Sequence, residues 1–512
     1  MSSYALRNFA AGKGTLNVKI GFKLAAGLAL ALAGFYLVVA LYAQQQLAFA
    51  LLALVVVSSA GYVYLSRRAY AHRYAYPAVA GMGVFVIFPL LYTVGIGFTN
   101  YSASNLLDLE RVQAYHLSQT YQSDSGRFPF RLYDEGGRYR LLLDGPDGTL
   151  ETAPFDFDGS DRLVLEPDTG VTSGEPLAMR DIIKLRKPLS GLRLQLPDGD
   201  ELSLSGLREF AARLPVYSLQ DDGSLIDNRN GERLTIDQDA GFYQRADGEH
   251  VPPGFVVGIG WDNYLKVVTD PSIRGPFLEI FVWTLVFAGG TVVFTLMLGL
   301  VLASLLQWEL MRGKALYRTL LILPYAVPAF ISILVFKGLF NQNFGEINLV
   351  LQGLFGLSPD WFSDPAMART MILVVNTWLG YPYMMLLCMG LLQSIPQDLY
   401  EASAMDGAGP LDNLFKITLP LIIKPLTPLL IACFAFNFNN FVLITLLTGG
   451  SPDIIGASTP AGTTDLLVSY TYRIAFQDSG QNFGLAAAIA TMIFLLVGGL
   501  SLLKMRLGKM EV

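Results

Sequence analysis

Tyr400-Glu401-Ala402-Ser403-Ala404-Met405-Asp406-Gly407, followed nine residues later by Ile417-Thr418-Leu419-Pro420, forms a polar island between two long apolar runs. Glu401, Ala402 and Met405 fall at helical spacing, which gives a small apolar face with an acid at its edge. Small side chains allow a helix to approach a partner surface closely. Gly407 permits a sharp reversal of the chain. Leu419-Pro420 closes the segment, because a proline restricts the residue before it. The segment reads as a short docking helix on a loop. The plain alternative is an amphipathic interfacial helix.

The flanking sequence explains why such a loop exists. Of 512 residues, 52% are hydrophobic and only 15% charged, against about 25% charged in soluble domains. The apolar residues are clustered, not periodic. Eight runs, at 24–41, 47–65, 77–98, 277–306, 316–338, 370–392, 426–448 and 484–503, are each taken as a membrane span. Each is long enough to cross about 30 Å of hydrocarbon at about 1.5 Å per residue. Arg7, Lys13, Lys19 and Lys23 precede the first run. No small-residue cleavage site separates it from the second, so it is read as an uncleaved span.

Basic residues in the short loops set the orientation. Arg67, Arg68 and Arg73, then Arg312 and Lys314, then Lys416 and Lys424, and finally Lys504, Arg506 and Lys509 mark alternate loops, while Tyr42–Gln46 has none. Both termini are therefore expected on the cytoplasmic side. The stretch 99–275 faces the other side and is too long for a connection. It carries about 29 acidic side chains against 18 basic, in a chain whose net charge is −6. Asp147-Gly148, Asp198-Gly199, Asp222-Gly223, Asn230-Gly231 and Asp247-Gly248 are hairpin-type turns. Short mixed runs at Arg138–Leu143 and Leu192–Leu196 lie between such turns. A β-rich domain is expected, with one or two helices such as Leu207–Ala212. Cys388 and Cys433 both lie in apolar runs, which argues against a disulfide framework.

The quoted loop resembles the Glu-Ala-Ala loop of permeases in ATP-binding-cassette (ABC) importers: Glu-Ala-Ala, three residues, Gly, nine residues, Ile-x-Leu-Pro. Ser403 stands where a second Ala is expected. The resemblance implies that Glu401, Ala402, Ser403, Met405, Gly407, Ile417, Leu419 and Pro420 couple the chain to an ATPase subunit. No Gly-x-x-x-x-Gly-Lys-Ser/Thr phosphate loop occurs in the sequence, so energy must come from another chain or from an ion gradient. Ion-coupled transporters place ionisable groups at membrane depth. Here Glu279, Arg318 and Lys337 sit near span ends, where snorkelling is the ordinary account.

Two spans carry polar stripes. Asn376, Leu379, Gly380 and Tyr383 share one helical face, and Cys433, Phe436, Asn437 and Asn440 share another. Amides both donate and accept hydrogen bonds, aromatic rings offer flat apolar surfaces, and no charge accompanies them. That combination suits an uncharged polyhydroxylated ligand. Amides that join helices to one another are the competing explanation.

Asn376–Met385, Phe434–Phe441 and Ile322–Pro328 resemble the larger permease subunit of bacterial maltose/maltodextrin transporters (MalF type), and the likeness covers nearly the whole chain. It implies a polytopic all-α membrane protein of about eight transmembrane helices, with a type I ABC importer permease core and a large β-rich periplasmic domain. The expected divisions are 1–76 with two extra spans, 77–98 as the third, 99–275 as the periplasmic domain and 276–512 as the core with the coupling loop near 397–420. Asn376, Leu379, Gly380, Tyr383, Cys433, Phe436, Asn437 and Asn440 would contact sugar, with Cys433 where Ser is expected. The implied partners are a second permease subunit (MalG type), an ATPase dimer (MalK type) holding ATP and Mg, a periplasmic maltose-binding protein, the sugar and the inner-membrane bilayer. No enzyme activity, cofactor, metal or nucleic acid is implied for this chain. An ion-coupled sugar transporter is the alternative.

Overall fold

Lipid supplies no hydrophobic drive between helices, so membrane helices must meet through small residues that allow close contact. The structure, a computed structural model, describes residues 27–145, 148–157, 162–168, 170, 174–197, 199, 201–308 and 310–509. It shows this rule in α8 (Pro271–Gln307) and α12 (Pro365–Leu392). Along α8, Ile280, Thr284, Phe287, Ala288, Thr291, Thr295 and Gly299 are buried at spacings of three or four. Leu278, Val282, Val286, Val293 and Met297 are exposed on the other side. A Cβ added at Gly299 would lie 2.7 Å from the Met385 amide nitrogen of α12, and one at Gly380 of α12 would lie 3.0 Å from Thr295 Cγ2. Gly299 lets the two backbones touch, and Gly380 lets the Thr295 side chain close on α12.

The other helices of this unit are α1 (Gly27–Ala43), α2 (Leu47–Leu65), α3 (Tyr76–Ile96) and, later in the chain, α7 (Asp262–Thr269). Next come α9 (Lys314–Ala326), α10 (Ala329–Leu339) and α11 (Glu346–Phe355). The series ends with α13 (Asp398–Met405), α14 (Pro410–Phe438), α15 (Phe441–Leu447), α16 (Leu467–Phe476) and α17 (Phe483–Lys509). Five of them, α2, α3, α8, α12 and α14, are long and apolar enough to cross a membrane. The shorter apolar helices Gly27–Ala43 and Phe483–Gly499 occupy the places of the expected first and eighth spans.

Two expected spans are not continuous. The run 316–338 is broken into α9 and α10, bent by 91°. Pro328 forces Val327 out of helical geometry, to ψ 132. The run 426–448 starts too late and ends too far on. Helix α14 begins at Pro410 with a wide turn over Asn413–Thr418 and stops at Phe438. Asn440, with ψ 77, then accepts a bond from Leu443 N and caps α15. Glu279 does not merely snorkel: it pairs at 2.8 Å with Arg369, whose guanidinium lies 5.1 Å from the Trp283 ring centre. Arg7, Lys13, Lys19, Lys23, Asp147 and Asp198 lie outside the described residues.

Residues 99–259 and 480–482 form a second unit, so the β domain ends earlier than the expected 275. Strands β2 (Thr120–Asp134), β3 (Tyr139–Gly145), β4 (Gly148–Thr152), β5 (Arg162–Pro167), β6 (Arg193–Gln195), β7 (Glu201–Leu204) and β8 (Glu209–Pro215) close into a barrel. Among the described residues of the barrel only β5 and β6 pair in parallel; outside it, β1 (Asn105–Leu107) pairs in parallel with Gly254–Phe255. The β5–β6 crossover carries α5 (Met179–Lys184) and α6 (Arg186–Gly191), as parallel pairing requires. A five-stranded antiparallel meander follows, from Tyr217 to Val251. Gly148, Gly199, Gly223, Gly231 and Gly248 all have positive φ, as hairpin turns demand. Of the expected helix Leu207–Ala212, residues Glu209–Ala212 are instead part of β8, and Leu207 and Arg208 lie in the bend before it. Pairing with both β2 and β7 completes the barrel, and this tertiary demand overrides local helix preference.

Helix α4 (Leu109–Ser118) is capped by Asp108 and packs His116, which is fully buried, against Tyr217 and Tyr243. Among the described residues, neither ring nitrogen of His116 has a hydrogen-bond partner. Burial lowers its pKa below the usual 6.5, because the charged form would be left unsolvated. The unfolded chain therefore binds a proton below about pH 6.5 that the folded unit does not. Stability of the β unit should fall as pH drops from about 7.5 to 5.5. Hydrogen exchange over Tyr217–Gln244, corrected for intrinsic rate, should accelerate in that window, and His116→Phe should flatten the response.

Candidate functional site

Inside the helical unit, the amides of three asparagines form one cluster. Asn376 of α12 donates through Nδ2 to Asn437 Oδ1 of α14 at 2.7 Å and to Thr291 Oγ1 of α8 at 3.1 Å. Its Oδ1 accepts from Asn440 Nδ2 at 3.2 Å. Asn437 spends its own Nδ2 on the backbone oxygen of Cys433, at 2.8 Å. Asn376 and Asn437 are buried, and Asn440 is half-buried. The amides thus satisfy one another across three helices, as buried polar groups in an apolar setting must.

The remaining expected contacts divide around this cluster. Gly380 meets Thr295 of α8, and Leu379 packs on the core formed by Trp283, Phe287 and Val375. The Cys433 side chain packs among Leu300, Met384 and Leu426. Phe436 is 74% exposed and Tyr383 37%, so both present aromatic surface away from the core. Asn440 does not share a helical face with Cys433, Phe436 and Asn437: it lies beyond the end of α14 and reaches Asn376 from the cap of α15. Thr291 was not among the expected residues. Its signal was the stripe of small residues Thr284, Ala288, Thr291, Thr295 and Gly299 along an apolar helix.

The coupling segment is α13 and the start of α14. Glu401, Ala402 and Met405 are exposed, Met405 at 89%. Gly407 has φ +79, where a side chain would be strained, and makes the reversal that ends the helix. Ser403 is turned inward, with Oγ 2.8 Å from Tyr400 O and 2.7 Å from Asn413 Oδ1. Tyr400 Oη lies 2.9 Å from Thr418 Oγ1. Leu419 packs on the core around Ile422 and Leu426, Ile417 is half-buried and Pro420 exposed. Helix α13, the expected docking helix, is therefore fastened to α14 by hydroxyl contacts, and its alanines and charged residues are exposed. Among the described residues no cluster could hold a metal ion.

A polytopic helical unit with a short exposed helix between two spans, joined in one chain to a β-rich unit, defines a membrane permease. Residues 295–505 match the binding-protein-dependent transport system inner membrane component family. Residues 107–260 match the P2 domain of the maltose transport system permease protein MalF, and residues 21–68 its N-terminal transmembrane region. The maltose/maltodextrin transport system permease protein MalF of Vibrio cholerae is 58% identical over 93% of this chain and 92% of its own length. That of Escherichia coli K12 is 55% identical, over 93% and 94%. The chain belongs to the MalF family of ABC importer permeases, which are inner-membrane transporter components and not enzymes. Permeases of this class work with separate ATPase and binding-protein partners.

Ser403 is the position at which the coupling loop departs from its pattern, and the structure gives it work. Ser403→Ala removes a hydroxyl contact whose net value is about 0.5–1.5 kcal/mol. Hydrogen exchange over 398–407 should rise several-fold in that variant and stay unchanged in α8 and α12.

Proposed function

We propose that this chain is the membrane-spanning subunit through which maltose and maltodextrins cross the inner membrane. A periplasmic maltose-binding protein delivers the sugar, and an ATPase dimer of the MalK type, holding ATP and Mg, drives the cycle. A MalG-type permease subunit completes the pathway. Both termini lie in the cytoplasm, and the β unit lies in the periplasm, where it helps hold the binding protein.

The observation that carries this reading is the uncharged amide cluster of Asn376, Asn437 and Asn440 in an otherwise apolar bundle. Each amide offers both a donor and an acceptor, so a sugar hydroxyl can take the place of any partner amide without leaving a charge or an unpaired group. The exposed rings of Phe436 and Tyr383 supply flat apolar surface for a pyranose face. Among the described residues no charged side chain is buried within the spans. Glu401, exposed on α13, meets the ATPase, whose closure is passed through Gly407 and α14 to the spans.

Two outcomes test this. Glu401→Lys reverses a charge at the contact with the ATPase; ATP-driven maltose uptake should drop at least about tenfold, with membrane insertion unchanged, and normal uptake would remove Glu401 from coupling. Asn437→Ala takes one acceptor from Asn376 and one group from the sugar. A lost partner in a buried site is worth about 1–3 kcal/mol, or roughly 5- to 150-fold. The ratio of maltose to maltotriose uptake should change while basal ATP hydrolysis survives. A lower melting temperature with an unchanged ratio would show that the amide only joins helices.

A further inference from the structure

We infer that Thr291 is a positioning residue for the sugar site: its hydroxyl holds the Asn376 amide on a fixed helix pair, while Asn437 and Asn440 exchange their bonds to Asn376 for bonds to sugar. The inference rests on the sugar-import reading given above.

Thr291 is 2% exposed, and its Oγ1 accepts one of the two Nδ2 protons of Asn376, at 3.1 Å. The other proton goes to Asn437 Oδ1, and Asn376 Oδ1 accepts from Asn440. In this arrangement the Asn376 amide has no donor left for a sugar. Donation from Asn376 to a sugar oxygen therefore requires one of the two Nδ2 bonds to break.

The backbone decides which bond breaks. Thr291 lies one turn from Thr295 and two turns from Gly299, the residues through which α8 touches α12. Gly380, one turn beyond Asn376, closes on the same Thr295. The Thr291–Asn376 pair thus lies on the helix pair that Gly380 and Gly299 bring close together, one turn from the Gly380–Thr295 contact and two turns from the backbone contact at Gly299, where the helices are too close to slide. Asn437 and Asn440 have no such support. Helix α14 contains Pro425 and Pro428 and ends at Phe438, so the two asparagines straddle a break in the chain. Phe436, 74% exposed, lies beside Asn437 on that side. Release of the α14 and α15 amides leaves Asn376 with one free donor and one free acceptor, oriented by the bond to Thr291 that remains. A free amide can flip its oxygen and nitrogen. One held by a hydroxyl acceptor presents a fixed pattern, and a fixed pattern discriminates between sugars.

The test uses the full chain purified with the subunits that accompany it and reconstituted in liposomes with ATP and sugar-loaded binding protein. Maltose and maltotriose uptake, sugar-independent ATP hydrolysis and melting temperature are measured for wild type, Thr291→Val and Thr291→Ser. The valine variant keeps the shape and loses the hydroxyl. Its maltose-to-maltotriose uptake ratio should shift at least about threefold with ATP hydrolysis preserved, and Thr291→Ser should restore the wild-type ratio. An unchanged ratio in Thr291→Val, with any change in melting temperature, overturns the inference and leaves Thr291 a packing residue. If the valine variant does not assemble, Thr291→Cys, close in size with a weaker hydrogen bond, is compared with Thr291→Ser by the same ratio. A wild-type complex that carries neither sugar would overturn the sugar reading itself, a failure distinct from a null result in the variant.

Discussion

The backbone contact between α8 and α12 is the constraint from which the rest of the helical unit follows. In water, two apolar helices associate because their surfaces leave the solvent. In lipid that drive is absent, and close van der Waals contact must replace it. Gly299 against Met384 and Met385, and Gly380 against Thr295, provide that contact. Once the two helices are fixed, Thr291 and Asn376 are fixed with them, and a polar cluster can be built in an apolar bundle without unpaired groups.

The same rule explains where the unit is allowed to be irregular. Pro328 and the Asn439–Asn440 break interrupt spans, and freed backbone groups at such points must find partners within the protein. Asn440 supplies one such partner, since its oxygen accepts from Leu443 N and caps α15, while its nitrogen reaches the Asn376 oxygen. The irregularity and the amide cluster are one feature, since the break is what brings Asn440 within reach. The coupling segment follows the opposite logic. Its helix is short and exposed, and hydroxyl contacts from Ser403 and Tyr400 hold it, so that its outward face stays available.

Particular residues show how far the sequence could be read. The Glu401–Gly407 pattern and the Asp-Gly and Asn-Gly turns were legible because short-range backbone chemistry sets them: a positive φ calls for glycine wherever the fold happens to lie. Leu207–Ala212 was misread because barrel closure, a long-range demand, chose strand over helix. The face shared by Cys433, Phe436, Asn437 and Asn440 was misread because periodicity assumes an unbroken helix, and α14 stops at Phe438.

By itself the sequence determined that this is a multi-span membrane protein with a β-rich insert, and it singled out the short exposed helix that ends at Gly407. Apolar run length, loop charge and turn chemistry are local properties, and bilayer thickness converts them directly into architecture. It also marked Asn376, Asn437 and Asn440 as unusual, since amides in apolar runs stand out. Only the tertiary structure decided that these three meet, that Thr291 joins them, and that Phe436 and Tyr383 remain uncovered. Hydrogen bonds between residues 61 to 85 positions apart depend on how helices cross, and crossing geometry is set by the packing of side chains that no local pattern encodes.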